Sequence, residues 1–116
     1  MTSAPLALVT VRLKAARIPG PPVLKTPEDV TIGKPHPECD KLAARKLGVN
    51  VKESLVFEDA GAGILAARAA GARVIVVSET HIHPIEPTCT TIPAYEDLVA
   101  HADSEGFIRV RVTTDP

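Results

Sequence analysis

The sequence predicts an α/β fold built on a parallel sheet, and three observations predict it. Ser54–Phe57 is a short apolar run of the buried-strand type. An alanine-rich helical stretch follows from about Gly63 to Ala70 and closes at Gly71. Val74–Val77 then places four β-branched residues in a row. Strand, short helix and strand make a βαβ unit, which joins two parallel strands by a right-handed crossover.

The other elements are read in chain order. Ala4, Leu6, Leu8, Val9, Val11, Leu13 and Ala16 recur at roughly helical spacing, with Ser3 as N-cap and Pro5 in the first turn. The run Ile18–Pro22 stops that helix. Val23–Thr26 is short and extended enough for a strand. Thr26–Pro37 is loop-like, with Gly33, Pro35 and Pro37 around Lys34. A helix is predicted from Glu38 to Leu47, with Gly48 as its stop. His81–Pro93 has three prolines and no clear period. Tyr95–Ala102 reads as a short helix, and Phe107–Val112 alternates as a half-exposed edge strand.

Composition narrows the function classes. The chain has 116 residues, 45% of them hydrophobic and 23% charged, which fits one globular domain. A net charge of −1 and only three aromatic residues give neither the basic footprint nor the stacking platforms of a nucleic-acid binder. No apolar run reaches membrane-spanning length, and no signal peptide is visible, so a cytoplasmic location is expected. Cys39 and Cys89 stand outside any ligand pattern and read as free thiols.

The chemistry gathers at predicted strand ends, where parallel α/β sheets bind ligands. Glu58 and Asp59 end the first run of the βαβ unit. Two adjacent carboxylates repel unless a cation or a shared proton intervenes, and a hard divalent cation such as Mg²⁺ would satisfy them. They read equally as a helix cap and a solvated acid. Lys34, in Gly33-Lys34-Pro35-His36-Pro37, is a point charge suited to phosphate, or a solvated turn lysine. Thr2 and Ser3 precede a helix and offer hydroxyls to a phosphoryl oxygen, or simply cap that helix. Gly61-Ala62-Gly63-Ile64-Leu65-Ala66 matches a dinucleotide fingerprint, with Glu79 sixteen positions past Gly63. The intervening carboxylates would repel a pyrophosphate. His81 and His83 lack a third metal ligand and read as a polar loop.

Together, GKPHP and the run LVFEDAGAGILAARAAGA, with Lys34 twenty-five positions before Asp59, resemble the third and fourth motifs of the haloacid dehalogenase-like phosphohydrolases. The likeness runs from about Thr2 to Val77 and is strongest to the sugar-phosphate and glycerol-phosphate phosphatase branch. It implies a Rossmann-like, three-layer α/β/α core. It implies that Asp59, with Glu58, holds Mg²⁺, that Lys34 neutralises the phosphoryl group, and that Thr2 hydrogen-bonds a phosphoryl oxygen. The substrate implied is a small phosphorylated metabolite, a hexose or glycerol phosphate.

The resemblance also sets departures. The family's first motif, which carries the nucleophilic aspartate, has no counterpart here, and neither does the cap domain. Gly61 stands where the family usually has proline. The expected sheet lacks its first two strands, leaving a gap between Val23–Thr26 and Leu55–Phe57 that a further N-terminal segment or a partner chain would fill. The chain alone is expected to be inactive. The alternatives are a non-catalytic phosphate-binding module and a dinucleotide-binding fragment.

Overall fold

A computed structural model describes residues 1–79 and 89–113. Among these residues three α-helices form: α1 (Leu6–Ala15), α2 (Glu38–Leu47) and α3 (Gly61–Ala70). Strands β1 (Leu55–Glu58), β2 (Arg73–Val77) and β3 (Thr90–Ile92) form one parallel sheet in the order β1-β2-β3. A separate antiparallel hairpin joins β4 (Leu98–Ala102) to β5 (Ile108–Val112). Among the described residues, no helix is long and apolar enough to cross a membrane.

The βαβ unit sits where the sequence places it. Gly48 and Gly71 close α2 and α3 in the left-handed region, at φ 72° and 91°, where a Cβ would be strained. In the register, Glu58 lies opposite Val76 and Phe57 opposite Ile75. Side chains alternate along a strand, so Leu55, Phe57, Ile75 and Val77 share one face. That face packs with Ile92 and with Leu98 and Val112 of the hairpin. The opposite face carries Val56, Glu58 and the fully buried Val76 and meets α3, whose buried side is Gly63, Ala66, Ala67 and Ala70. Small residues let the helix approach the sheet closely. α2 in turn packs on α3.

Four expectations are corrected. Val23–Thr26 is not a strand: among the described residues no strand lies beside it to complete a ladder, and the Thr2 N–H donates to Lys25 O (3.0 Å) as an isolated bond. Thr26 instead precedes a 3₁₀ turn, Pro27–Asp29, and the Asp29 carboxylate accepts its N–H at 2.8 Å. The expected gap inside the sheet is therefore an open edge at β1. Tyr95–Ala102 is a 3₁₀ turn (Tyr95–Asp97) followed by β4, because its apolar residues find a partner in β5 rather than a helical face. Thr90–Ile92, read without period, pairs with β2 as β3. Pro5 occupies the N-cap of α1 in place of Ser3, and the Glu28 carboxylate accepts the Leu6 N–H from a distance in sequence. His81 and His83 lie outside the described residues.

Candidate active site

The carboxyl end of β1 opens onto a cavity of about 310 Å³ lined by Met1, Thr2, Ser3, Lys34, Phe57, Glu58, Asp59, Ala60, Ala62 and Gly63. All five site residues read from the sequence line it. They come from three places in the chain. Thr2 and Ser3 lead into α1, Lys34 stands in the loop before α2, and Glu58 and Asp59 link β1 to α3.

Lys34 and Glu58 form an ion pair, with side chains only 9% and 11% exposed. Glu58 points toward α3 because its register places it on the helix-facing side of the sheet. Its carboxylate fills the space beside Gly63, where any Cβ would overlap it. Gly63 thus makes room for an acid rather than for a dinucleotide. The acid's partner is a lysine, and this is a second assignment for Glu58 beside the metal role expected of it.

The loop that carries Lys34 is pinned by the helix that follows. Glu38 accepts N–H bonds from Thr31 (2.9 Å) and Ile32 (3.0 Å), one to each oxygen. Those bonds hold the Glu38 carboxyl below the usual glutamate range. His36 N–H donates to Gly33 O at 3.0 Å, and the Lys34–Pro35 peptide is cis. The Thr2 hydroxyl accepts the Ala4 N–H at 3.1 Å, which leaves its proton to donate toward the cavity.

One residue here carried no sequence signal. Asp40, in the first turn of α2, is 7% exposed, and its Oδ2 has no hydrogen-bond partner among the described residues. Burial raises its carboxyl, and the Lys34 ammonium partly offsets that rise. Its neighbour Cys39 is buried as well, and burial pushes its thiol up. Only the flanking hydrophobic spacing of α2 could have hinted that position 40 turns inward. A second cavity of about 370 Å³ adjoins the first through Phe57, Glu58 and Asp59 and adds Val77, Glu79, Ala94, Tyr95 and Glu96. Tyr95 packs on Phe57 with ring centroids 5.6 Å apart. Burial, then Asp59 and Glu58, raises its phenol.

The arrangement is a pocket at the end of a parallel strand, with a lysine, hydroxyls and two carboxylates converging on it. Residues 5–71 match the family model of the haloacid dehalogenase-like hydrolases. The chain belongs to the haloacid dehalogenase-like hydrolases. It is 42% identical over all its 116 residues to hexitol phosphatase A of Escherichia coli (strain K12), covering 49% of that protein. It is 48% identical over 59 residues, 51% of the chain, to validoxylamine A 7'-phosphate phosphatase of Streptomyces hygroscopicus subsp. limoneus, covering 28% of that protein. In fold it is similar to a HAD hydrolase of family IA, variant 3, from Entamoeba histolytica. The TM-score there is 0.68 at 24% identity, over 84% of this chain and 47% of that one. The chain thus spans about half the length of hexitol phosphatase A. Its parallel sheet and helices are part of a haloacid dehalogenase-like α/β core.

A divalent cation suits part of this donor set. Asp59 and Glu58 are hard oxygen donors, but Glu58 is paired with Lys34, and among the described residues no cluster of three acids, histidines or cysteines could complete a shell.

Proposed function

We propose that this chain is the phosphate- and cation-binding part of a phosphatase for small phosphomonoesters, such as a hexitol, hexose or glycerol phosphate. The observation that carries the reading is the convergence of Thr2, Ser3, Lys34 and Asp59 on one cavity. Its volume is at the small end of ligand sites and suits a phosphoryl group with a short polyol. The relatives named hexitol phosphatase A and validoxylamine A 7'-phosphate phosphatase support the substrate class.

Each residue has a part. Lys34 offsets the phosphoryl charge from a largely desolvated position, where a fixed charge acts strongly. Thr2 donates its hydroxyl proton to a phosphoryl oxygen, and Ser3 lies beside it at the cavity rim. Glu58 holds Lys34 against α3. Asp59, with Glu58 as the adjacent donor, would hold Mg²⁺, which when bound neutralises charge on the phosphoryl oxygens. With Glu58 given to Lys34 and Asp59 to the cation, the cavity lining among the described residues offers no further carboxylate as nucleophile. The chain by itself therefore binds phosphate without turning it over. A further polypeptide segment at the open β1 edge would complete both sheet and site. A dinucleotide would have to place its pyrophosphate at Gly63, where the Glu58 carboxylate lies.

Titration calorimetry with inorganic phosphate and with a hexitol phosphate, in Mg²⁺, tests the reading. Binding that Lys34→Met weakens at least tenfold supports it. Binding indifferent to Lys34→Met overturns the site. Phosphate release that Asp59→Asn abolishes overturns the inactivity of the isolated chain.

A further inference from the structure

Beside the cavity that holds Lys34 lies the second one, of about 370 Å³, on the same rim of the sheet. β1, β2 and β3 are parallel, so their carboxyl ends fall along one edge, where such sheets take ligands. Asp59 follows β1, Glu79 follows β2, and Tyr95 and Glu96 follow β3. Two backbone bonds tie the ends of β2 and β3 together. The Ser78 N–H donates to Ile92 O at 2.8 Å, and the Glu79 N–H donates to Pro93 O at 3.1 Å. The Tyr95 ring is set against Phe57, which lines both cavities. Glu58 and Asp59 line both as well, so a ligand held at Lys34 and too long for the first cavity passes over them into the second.

The second cavity differs in chemistry from the first. Among the described residues its lining has no cation, and it adds Glu79, Glu96 and the Tyr95 hydroxyl beside the apolar Val77 and Ala94. None of those three polar side chains has a hydrogen-bond or ion-pair partner among the described residues. A second phosphoryl group would be repelled there. A divalent cation would lack its shell, because no three acids or histidines among the described residues gather closely enough to hold one. A neutral, hydroxyl-rich carbon chain fits. Its hydroxyls donate to the carboxylates, the Tyr95 hydroxyl donates or accepts, and its carbons lie on Phe57, Val77 and Ala94. We propose that the second cavity is a polyol subsite: Glu79, Tyr95 and Glu96 bind the substrate's hydroxyl groups far from the phosphate and favour a hexitol phosphate over glycerol phosphate. These residues touch the substrate away from the reacting atoms, so they act on specificity. The proposal rests on the first cavity being the phosphate site, and its test separates the two claims.

Titration calorimetry on the full chain, in Mg²⁺, compares sorbitol phosphate, glycerol phosphate and inorganic phosphate. The readout is the ratio of sorbitol phosphate affinity to glycerol phosphate affinity, because removing a carboxylate raises the affinity of every phosphate alike. In the unaltered chain that ratio is expected to be about tenfold, the gain from two or three modest hydrogen bonds. Tyr95→Phe, which keeps the ring on Phe57, is expected to lower it about threefold. Glu79→Ala with Glu96→Ala is expected to bring it close to one. Both glutamates are exposed, so the pair of changes leaves the fold intact. A ratio near one in the unaltered chain, or a ratio that these variants leave alone, overturns the subsite while Lys34-dependent phosphate binding stands. The amino analogue of sorbitol phosphate, if bound more tightly than sorbitol phosphate itself, also overturns it, because the carboxylates would then be reading a cation. If inorganic phosphate does not bind, the phosphate site is refuted, and free sorbitol decides the second cavity. A shift of the Tyr95 ring resonances on adding sorbitol keeps the subsite, and no shift overturns it.

Discussion

At the scale of single residues, the site turns on charges that have left water together. Lys34 and Glu58 are both nearly buried, so removing either leaves the other without compensation. Lys34→Met is expected to destabilise the chain by about 3–5 kcal/mol, read from denaturant unfolding, well beyond the value of an exposed pair. A loss under about 1 kcal/mol would mean the pair is solvated in solution. Both residues were legible in the sequence, Lys34 from its glycine–proline frame and Glu58 from its strand end. Their pairing was not, because adjacent carboxylates suggest a shared cation, whereas the β1 register puts Glu58 on the face that meets α3, where Lys34 reaches it. Asp40 was invisible for a related reason. An aspartate in a first helical turn ordinarily reads as a solvated partner of the helix dipole, and only packing reveals that this one faces inward.

At the scale of elements, the Lys34 loop and the α3–sheet contact each make a prediction. Glu38 holds the loop through bonds to Thr31 and Ile32, and its carboxyl is depressed in the folded chain. A depressed acid stabilises above its unfolded value, and the contribution fades as pH falls through the folded one. The amide signals of Thr31 and Ile32 should therefore titrate together, below the usual glutamate range, and stop titrating in Glu38→Gln. Titration at the ordinary glutamate position would refute the clamp. On α3, Ala67 is fully buried among small residues. Ala67→Leu is expected to cost about 1–3 kcal/mol by overpacking, measured as a lowered urea midpoint with the slope unchanged. α2 and α3 were readable because local spacing and a closing glycine define a helix. β4 was misread because two short strands stabilise each other only as a pair.

At the scale of the whole molecule, the chain exposes more than its size requires. Its accessible surface is 8136 Å², where a compact monomer of this mass exposes about 6,100 Å². Its radius of gyration is 14.7 Å, against about 13 Å for a compact domain of this length. Leu6, Leu8 and Val11 of α1 are exposed, no residue of α1 is buried, and β1 has an open edge among the described residues. Unpaired edges and bare apolar faces recruit partners. Sedimentation velocity at rising concentration is expected to show species heavier than 12.2 kDa. A single monomer boundary at every concentration would refute this. The sequence by itself determined the βαβ unit, the helix ends at Gly48 and Gly71, and the residues that meet at the cavity, because helical spacing, chain punctuation and motif chemistry are local properties. Only the tertiary structure decided that Val23–Thr26 has no strand to join, that Thr90–Ile92 joins the sheet and that Glu58 faces Lys34. Strand pairing and burial are agreements between distant parts of the chain, and a residue's own neighbours in sequence do not record them.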